Sequence, residues 1–262
     1  MAYWVIIFTA IFFYTTSFFV NTEKDGFASP KNILVLFGLI TEGVLIKVDT
    51  FGIYINLDFS NSLLIVNFFT VLFFLIHDMK IKNKGLDYLV LVPSIFLIAM
   101  HPFMNQEHFL RETSSVLYVS HILTAIIGYG LLTYGAIFSV FVLLLEKNLH
   151  NKKIESNFKS DEPLLGLESY LYKINILVFL LLTFIITTGL FFSKEIFNQP
   201  LIFNHKTFFS LLAWLTYAYF FYGRYNHGWR GKKAINILLV AFVFLVLSYF
   251  GSKFVLEMIL HR

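Results

Sequence analysis

The chain contains no cysteine. Disulfide bonds, thiolate zinc sites, iron–sulfur clusters and covalent haem attachment to this chain are therefore excluded. Charge is scarce as well: 14% of the 262 residues are charged, whereas 58% are hydrophobic and the mean hydropathy is +0.74. A soluble core does not need that much apolar surface, so the composition predicts an integral membrane protein.

Recognisable enzyme signatures are also missing. The sequence has no GxSxG, no P-loop, no HExxH and no dinucleotide-binding fingerprint. Internal repeats, low-complexity tracts and long polar segments are absent too, so residues 1–262 are predicted to form a single polytopic membrane domain without enzymatic activity. The net charge of +4 is small, and the expected surroundings are a lipid bilayer, with no nucleic-acid partner.

Eight apolar runs predict membrane-spanning helices, because each is about 15–30 residues long. They lie near residues 3–20, 32–49, 61–77, 86–102, 116–145, 171–193, 205–222 and 233–258. The first run, MAYWVIIFTAIFF, lacks the positive region and the small-residue cleavage site of a signal peptide, so it is expected to be the first span. The predicted fold class is an all-α bundle of about eight transmembrane helices.

The loop charges predict the orientation of these spans, because cytoplasmic loops carry an excess of Lys and Arg. Thirteen such residues fall on one side: Lys24, Lys31, Lys80, Lys82, Lys84, Lys147, Lys152, Lys153, Lys159, Arg224, Arg230, Lys232 and Lys233. Six fall on the other: Lys47, Arg111, Lys194, Lys206, Lys253 and Arg262. This asymmetry predicts a multi-pass protein of a bacterial inner membrane with both termini on the outer, periplasmic side.

Five of the eight histidines fall at or beyond the outer ends of the predicted spans: His101, His108, His121, His205 and His261. His121 lies just inside the fifth run and His205 begins the seventh, so two imidazoles are expected at similar depth. Such a pair is one way to hold a haem iron from both sides, with Lys206 and Arg111 close enough to meet the propionates. The alternative is that both histidines are interfacial residues at helix starts.

Glu42 stands near the middle of the second run, within LITEGVLIKVD. A carboxyl at that depth costs roughly 2.5–3.5 kcal/mol on insertion scales and is expected to face the bundle interior. Its candidate roles are haem ligand or supporting group, proton carrier, or structural hydrogen-bond partner. Asp49 is seven residues further on and shares the helix face, whereas Lys47 is expected to snorkel outward.

Two connecting segments carry further predictions. GRYNHGWRGKK, residues 223–233, is expected to be a tight cytoplasmic turn whose cations meet anionic lipid, or else a docking site for a soluble partner. SDEPLLGLESYLYK begins with a Ser/Asp cap and has Pro163 in its first turn, which predicts an interfacial helix leading into the sixth span.

Several of these segments carry a resemblance to a known family. HKTFFSLLAWLTYAYFFYGRYNHGWRGKKA, the downstream SYFGSKFVLEMIL, and HILTAIIGYGLLTYGAIFSVFVLLLEKNLHNKK are similar to the cytochrome c assembly family, most closely to its YpjD- and HemX-like branch. The likeness covers residues 116–258 well and the first half loosely. The GWRG turn followed by YFGSK is its most specific fingerprint.

The resemblance implies haem handling. CcsA- and CcmC-type relatives hold haem at the outer face between two histidines that flank a tryptophan-rich loop. His121 matches the first histidine, His205 follows the position of that loop, and His261 lies near the second histidine. The loop itself is missing, since FSKEIFNQPLIFN contains no Trp, and Glu42 stands where relatives commonly carry a histidine.

Three functional hypotheses follow. The first is non-covalent binding of haem b for cytochrome assembly or haem homeostasis, with cytochrome c maturation or haem-biosynthesis proteins as partners. The second is a transporter or ion-transport accessory that uses Glu42 and Asp49. The third is a membrane regulator of a soluble haem-pathway partner, whose capture would be lost on neutralising Arg230, Lys232 and Lys233.

Overall fold

The chain folds almost entirely into α-helices. A computed structural model describes residues 2–20, 29–51, 55–104, 116–151, 158–191 and 205–251. Within these ranges the helices are α1 Ala2–Ser17, α2 Pro30–Thr50, α3 Phe59–Asp78, α4 Leu86–Met104, α5 Val116–His150, α6 Leu164–Phe191, α7 His205–His227 and α8 Gly231–Val246, which continues as a π-helical turn, Leu247–Gly251. Two-residue strands, β1 Asn83–Lys84 and β2 Lys159–Ser160, pair antiparallel. The all-α prediction is confirmed for the described residues.

Local sequence signals account for several helix ends. Pro30 occupies the first turn of α2, where its missing N–H is not needed. The Asp58 carboxylate accepts a hydrogen bond of 2.8 Å from the Asn61 N–H and so caps α3. The turn between α7 and α8 uses Gly228 and Gly231, both with positive φ, which glycine adopts without steric cost.

Five helices in the described part are long and apolar enough to cross a membrane: α3, α4, α5, α6 and α8 with its π-helical turn. α1 is apolar but shorter. The chain is therefore a multi-pass membrane protein. The predicted total of eight spans and the outer placement of both termini stay predictions.

The observed bounds correct two details of the predicted spans. α5 ends at His150 rather than at residue 145. α6 begins at Leu164 and runs without a break for 28 residues, about 42 Å, so the predicted interfacial helix is the first part of α6 and not a separate element. α6 itself contains no proline, and the apolar residues of its first turns continue into the membrane span.

The chain divides into two compact units. Unit 1 includes residues 1–110 and 144–164, and unit 2 includes residues 111–143 and 165–262. The single polytopic domain stays a prediction.

Unit 1 is a closed ring of four helices. α1 packs on α2, α2 on α3, α3 on α4, and α4 returns to α1. Its interior contains apolar side chains such as Leu45, Leu64 and Ile98, but also several fully buried polar ones, including Glu42. Unit 2 contains most of α5 together with α6, α7 and α8, with Phe138 edge-on to Tyr170 and Phe179 stacked on Trp214.

Candidate functional site

His121 lies on the second turn of α5 and contacts α6. Its Nδ1 is 2.9 Å from the Oγ1 of Thr188, which in turn lies 2.8 Å from the Phe184 carbonyl oxygen of its own helix. The donor in the contact between His121 and Thr188 depends on the tautomer of the imidazole. If the single hydroxyl hydrogen of Thr188 donates to that carbonyl, His121 Nδ1–H donates to Thr188 Oγ1, and Nε2 is the unprotonated nitrogen, which can ligate a metal.

Gly189 lies beside this ring. A Cβ built on Gly189 would lie 3.6 Å from His121 Cε1, which is ordinary van der Waals contact. The imidazole therefore lies directly against the α6 backbone beside Thr188. Thr188 carried no signal in the sequence, where it is one of three threonines in the apolar run of α6.

His205 is the first residue of α7 and is exposed. The next residue, Lys206, offers its carbonyl oxygen to the Ser248 Oγ at 2.9 Å, and Ser210 Oγ lies 2.7 Å from the same hydroxyl. Ser248 belongs to the π-helical turn after α8, so that turn holds the first turns of α7 in place.

The two histidines occupy the same end of unit 2. Trp214 Nε1 donates to Thr183 Oγ1 at 2.9 Å and so sets a common level for α6 and α7. From that level, Thr188 lies five residues and about 7.5 Å toward the end of the unit, and His205 lies nine residues and about 13.5 Å toward it. Measured along the helix axes, His205 and Thr188, the residue that contacts His121, therefore lie at levels about 6 Å apart.

Two other predicted site residues, Arg111 and His261, lie outside the described residues. One cavity among the described residues of unit 2 has a volume of about 30 Å³ and is lined by Tyr129, Leu182, Ile185 and Ser210 among others. It has room for a water-sized molecule but not for a porphyrin. A haem bound to His121 would therefore lie outside this cavity.

Glu42 belongs to unit 1, where it is fully buried as the sequence predicts. Its Oε2 accepts a hydrogen bond of 2.7 Å from the Tyr14 hydroxyl, and its Oε1 accepts one of 2.9 Å from the Asn67 amide. Asn67 Oδ1 accepts in turn from the Ser94 hydroxyl at 2.7 Å. One side chain from each of the four helices thus meets at Glu42. The role of Glu42 toward haem stays a prediction.

The predicted tight turn is confirmed and has a defined internal structure. Arg224 Nη1 donates to the Trp229 carbonyl at 2.9 Å, and Glu168 Oε1 on α6 accepts from the Gly231 N–H at 3.0 Å. Arg224 also lies 4.0 Å from the other Glu168 oxygen. The Trp229 indole packs on Gly223, and the Lys233 ammonium sits 3.8 Å from its ring centre. Arg224 is half-buried and holds the turn in shape, whereas Arg230, Lys232 and Lys233 are exposed.

Most of the chain is similar to known proteins. The family model described as "Cytochrome C assembly protein" matches residues 54–260. The chain is 29% identical to the inner membrane protein YpjD of Escherichia coli K12 over 180 residues, which is 68% of this chain and 67% of YpjD. It is 26% identical to protein HemX of Brevibacillus brevis over 63% of each chain.

The cytochrome c biogenesis protein CcsA of Chlamydomonas reinhardtii is 29% identical over 52% of this chain, a match that covers 38% of that CcsA. No solved structure matches the chain. The family model spans most of the sequence, and the relatives agree with it and with the predicted YpjD- and HemX-like branch. The chain therefore belongs to the cytochrome c assembly family.

Proposed function

We propose that this chain is a haem-handling protein of a bacterial inner membrane that holds haem b without a covalent bond. Membership of the cytochrome c assembly family supports a haem-related role, and so does the similarity to a relative named as a cytochrome c biogenesis protein. The single observation that carries the proposal is the hydrogen bond between His121 and Thr188, because it fixes the ring, and donation from Nδ1–H to Thr188 would leave Nε2 unprotonated for iron. Haem would supply the redox-active iron, and the chain itself would catalyse no covalent step.

In this proposal His121 is one axial ligand and His205 is the other. His205 is exposed at the same end of unit 2, and Lys206 beside it would meet a propionate. Arg111 is the second candidate for a propionate, and His261 is the second candidate for the axial position of His205.

Orientation completes the proposal. The excess of Lys and Arg in one set of loops supports an orientation with both termini, and with them the starts of α5 and α7, on the outer side. The name of the YpjD relative agrees with an inner-membrane location. Haem would therefore lie near the outer face, where cytochrome c maturation or haem-biosynthesis proteins are the proposed partners.

The test is an optical haem titration of the detergent-purified protein. The wild type is expected to give a Soret band that saturates with added haem. His121→Ala and His205→Ala are each expected to weaken or shift that band, because each removes one axial nitrogen. His227→Ala is the matched control, since His227 is an exposed histidine at the other end of α7. A wild type that binds no haem, or variants indistinguishable from it, would overturn the proposal.

Thr188→Val tests the hydrogen bond between His121 and Thr188, on which the proposal rests. Valine keeps the shape of threonine but cannot accept the hydrogen bond from His121 Nδ1–H. Loss of such a partner typically lowers metal affinity about 10–100-fold, so haem affinity should fall while the band of bound haem keeps its position. Thr188→Ser should restore binding, because serine retains the hydroxyl. Equal affinity for the valine variant and the wild type would show that Thr188 does not orient the ligand.

A further inference from the structure

The end of unit 2 that carries the turn between α7 and α8 has an unbalanced positive charge. The described residues of unit 2 include six Lys and Arg residues but a single carboxyl side chain, that of Glu168. Three of the six cations lie within four consecutive positions, and all three are exposed: Arg230, Lys232 and Lys233. This turn is therefore the densest positive patch in the described part of unit 2.

Glu168 does not neutralise these three cations. Its Oε1 accepts the hydrogen bond from the Gly231 N–H, and its Oε2 lies 4.0 Å from Arg224 Nη1. Its side chain is 10% exposed, so the carboxylate is withdrawn from the surface. The charge of Glu168 is thus matched by Arg224, and a balancing anion for the exposed cations has to come from outside the described part of unit 2.

The start of α8 increases the imbalance. Arg230 immediately precedes the helix and its side chain makes no capping hydrogen bond, while the first turn contains Lys232 and Lys233 but no acidic residue. The amino-terminal end of a helix carries a partial positive charge, which favours Asp or Glu there and disfavours Lys. An external anion close to the turn would therefore stabilise it.

The turn holds these cations on a fixed backbone. The Arg224 guanidinium binds the Trp229 carbonyl oxygen, and Gly228 and Gly231 adopt the positive φ values that the turn requires. The Lys233 ammonium lies over the Trp229 ring. Because the backbone is already ordered, a ligand that binds here does not have to offset the entropy of ordering a loop.

The level of the cations along α8 points to the kind of anion. α8 with its π-helical turn, Gly231–Gly251, is long and apolar enough to cross a membrane. Charged residues are absent from 234–251, so the cations lie where the apolar span begins. In a bilayer this is the level of the lipid headgroups.

Exposed aromatic side chains surround the same turn. Tyr222 is 58% exposed and Tyr225 is 88% exposed, and both belong to the last turns of α7. Tyrosine is typical of the membrane–water interface because its ring is apolar and its hydroxyl is polar. The aromatic residues and the cations therefore indicate the same surroundings.

We propose that the basic turn surface, formed by Tyr222, Tyr225, Arg230, Lys232 and Lys233, binds the headgroup of an anionic phospholipid. The cations meet the lipid phosphate through charge-assisted hydrogen bonds, and the tyrosines lie among the neighbouring headgroups. A lipid fits this surface better than a soluble acidic protein does, because the cations stand at the start of an apolar span and beside exposed tyrosines. This binding is separate from the proposed haem site and does not depend on it.

The experiment measures how strongly the haem-free wild type prefers an anionic lipid. The protein is reconstituted in phosphatidylcholine bilayers that contain a small fraction of phosphatidylglycerol brominated near the headgroup end of its acyl chains, since bromine quenches nearby tryptophan. The signal of Trp229 is the difference between each protein and its own Trp229→Phe variant. Brominated phosphatidylcholine is the neutral reference lipid. Phosphatidylglycerol should quench Trp229 more strongly than the reference does, and this preference should weaken as the salt concentration rises.

The double variant Arg230→Gln/Lys232→Gln removes two of the three exposed cations. A cation near an anionic membrane surface typically contributes about fivefold in affinity, so the lipid preference should fall about tenfold or more. Arg230→Lys/Lys232→Arg keeps both charges and should retain the preference. Lys147→Gln/Lys159→Gln is the matched control, because it removes two exposed cations of unit 1 and changes the net charge by the same amount.

Three results would refute the proposal. Equal quenching of the wild type by both lipids would mean that the surface does not select an anionic headgroup. Equal losses in the double variant and in the matched control would mean that net charge alone sets the preference. A preference that the double variant retains would leave a soluble acidic protein as the occupant of this surface. The readouts do not involve haem, so this proposal and the haem proposal can fail separately.

Discussion

Gly38→Ala is expected to lower the stability of unit 1 by about 2–4 kcal/mol. A methyl group on Gly38 would overlap the ring of Tyr14, a residue that is 0% exposed and so has no space to move into. Displacing the ring also breaks the hydrogen bond from Tyr14 to Glu42. The gain in helix propensity from Gly to Ala is at most about 1 kcal/mol and does not offset these losses.

The measurement is a thermal unfolding curve in detergent, followed by circular dichroism. Gly43→Ala is the matched control, because a Cβ on Gly43 of the same helix meets only Phe68, at 3.6 Å. The control should unfold at or above the wild-type temperature and Gly38→Ala clearly below it. Coincident curves for the two variants would contradict the packing of Tyr14 over Gly38.

Gly223→Ala is expected to destabilise unit 2 by about 1–3 kcal/mol. The added methyl would overlap the Trp229 indole, which also contacts Tyr219 and Lys233. Trp229 is only half-buried, so its ring has room to swing outward, and the effect should be smaller than at Gly38. Moving the ring strains the contacts of Arg224 and Glu168 that join the turn to α6.

Tryptophan fluorescence measures this change in addition to thermal unfolding. The chain has only Trp4, Trp214 and Trp229, so a red shift in Gly223→Ala should vanish in the Trp229→Phe background. Gly251→Ala is the control in the same unit, since its nearest new contact lies at an ordinary 3.7 Å. An unshifted spectrum with wild-type stability would mean that the indole does not pack on Gly223.

Much of the fold follows from the sequence because the helices coincide with apolar runs, and their ends coincide with capping residues and turn residues that the sequence shows directly. The third run, predicted near 61–77, forms a helix from Phe59 to Asp78, with Asp58 as its cap. The predicted bounds of a span are wrong where a helix continues beyond its apolar run into more polar turns, as at the start of α6. The number of spans does not follow from the sequence alone, because α2 carries four charged residues, of which Glu42 is fully buried.

The sites are less predictable because their partners are neutral side chains on distant helices. Glu42 and Asp49 are conspicuous as charges in apolar surroundings, and their seven-residue spacing correctly places them on one face. Ser60 and Asn67 have the same spacing, as do Ser94 and His101, but single polar residues are common in membrane helices and do not reveal which helices touch. Thr188 likewise becomes a partner of His121 only once α5 and α6 are packed.

The most direct test of the central claim is the electron paramagnetic resonance spectrum of the haem-loaded ferric wild type. Two axial imidazoles predict a low-spin signal. His121→Ala and His205→Ala should each convert it to a high-spin signal, and added imidazole should restore the low-spin form. A high-spin wild type, or a low-spin signal that survives in both variants, would contradict haem ligation by His121 and His205.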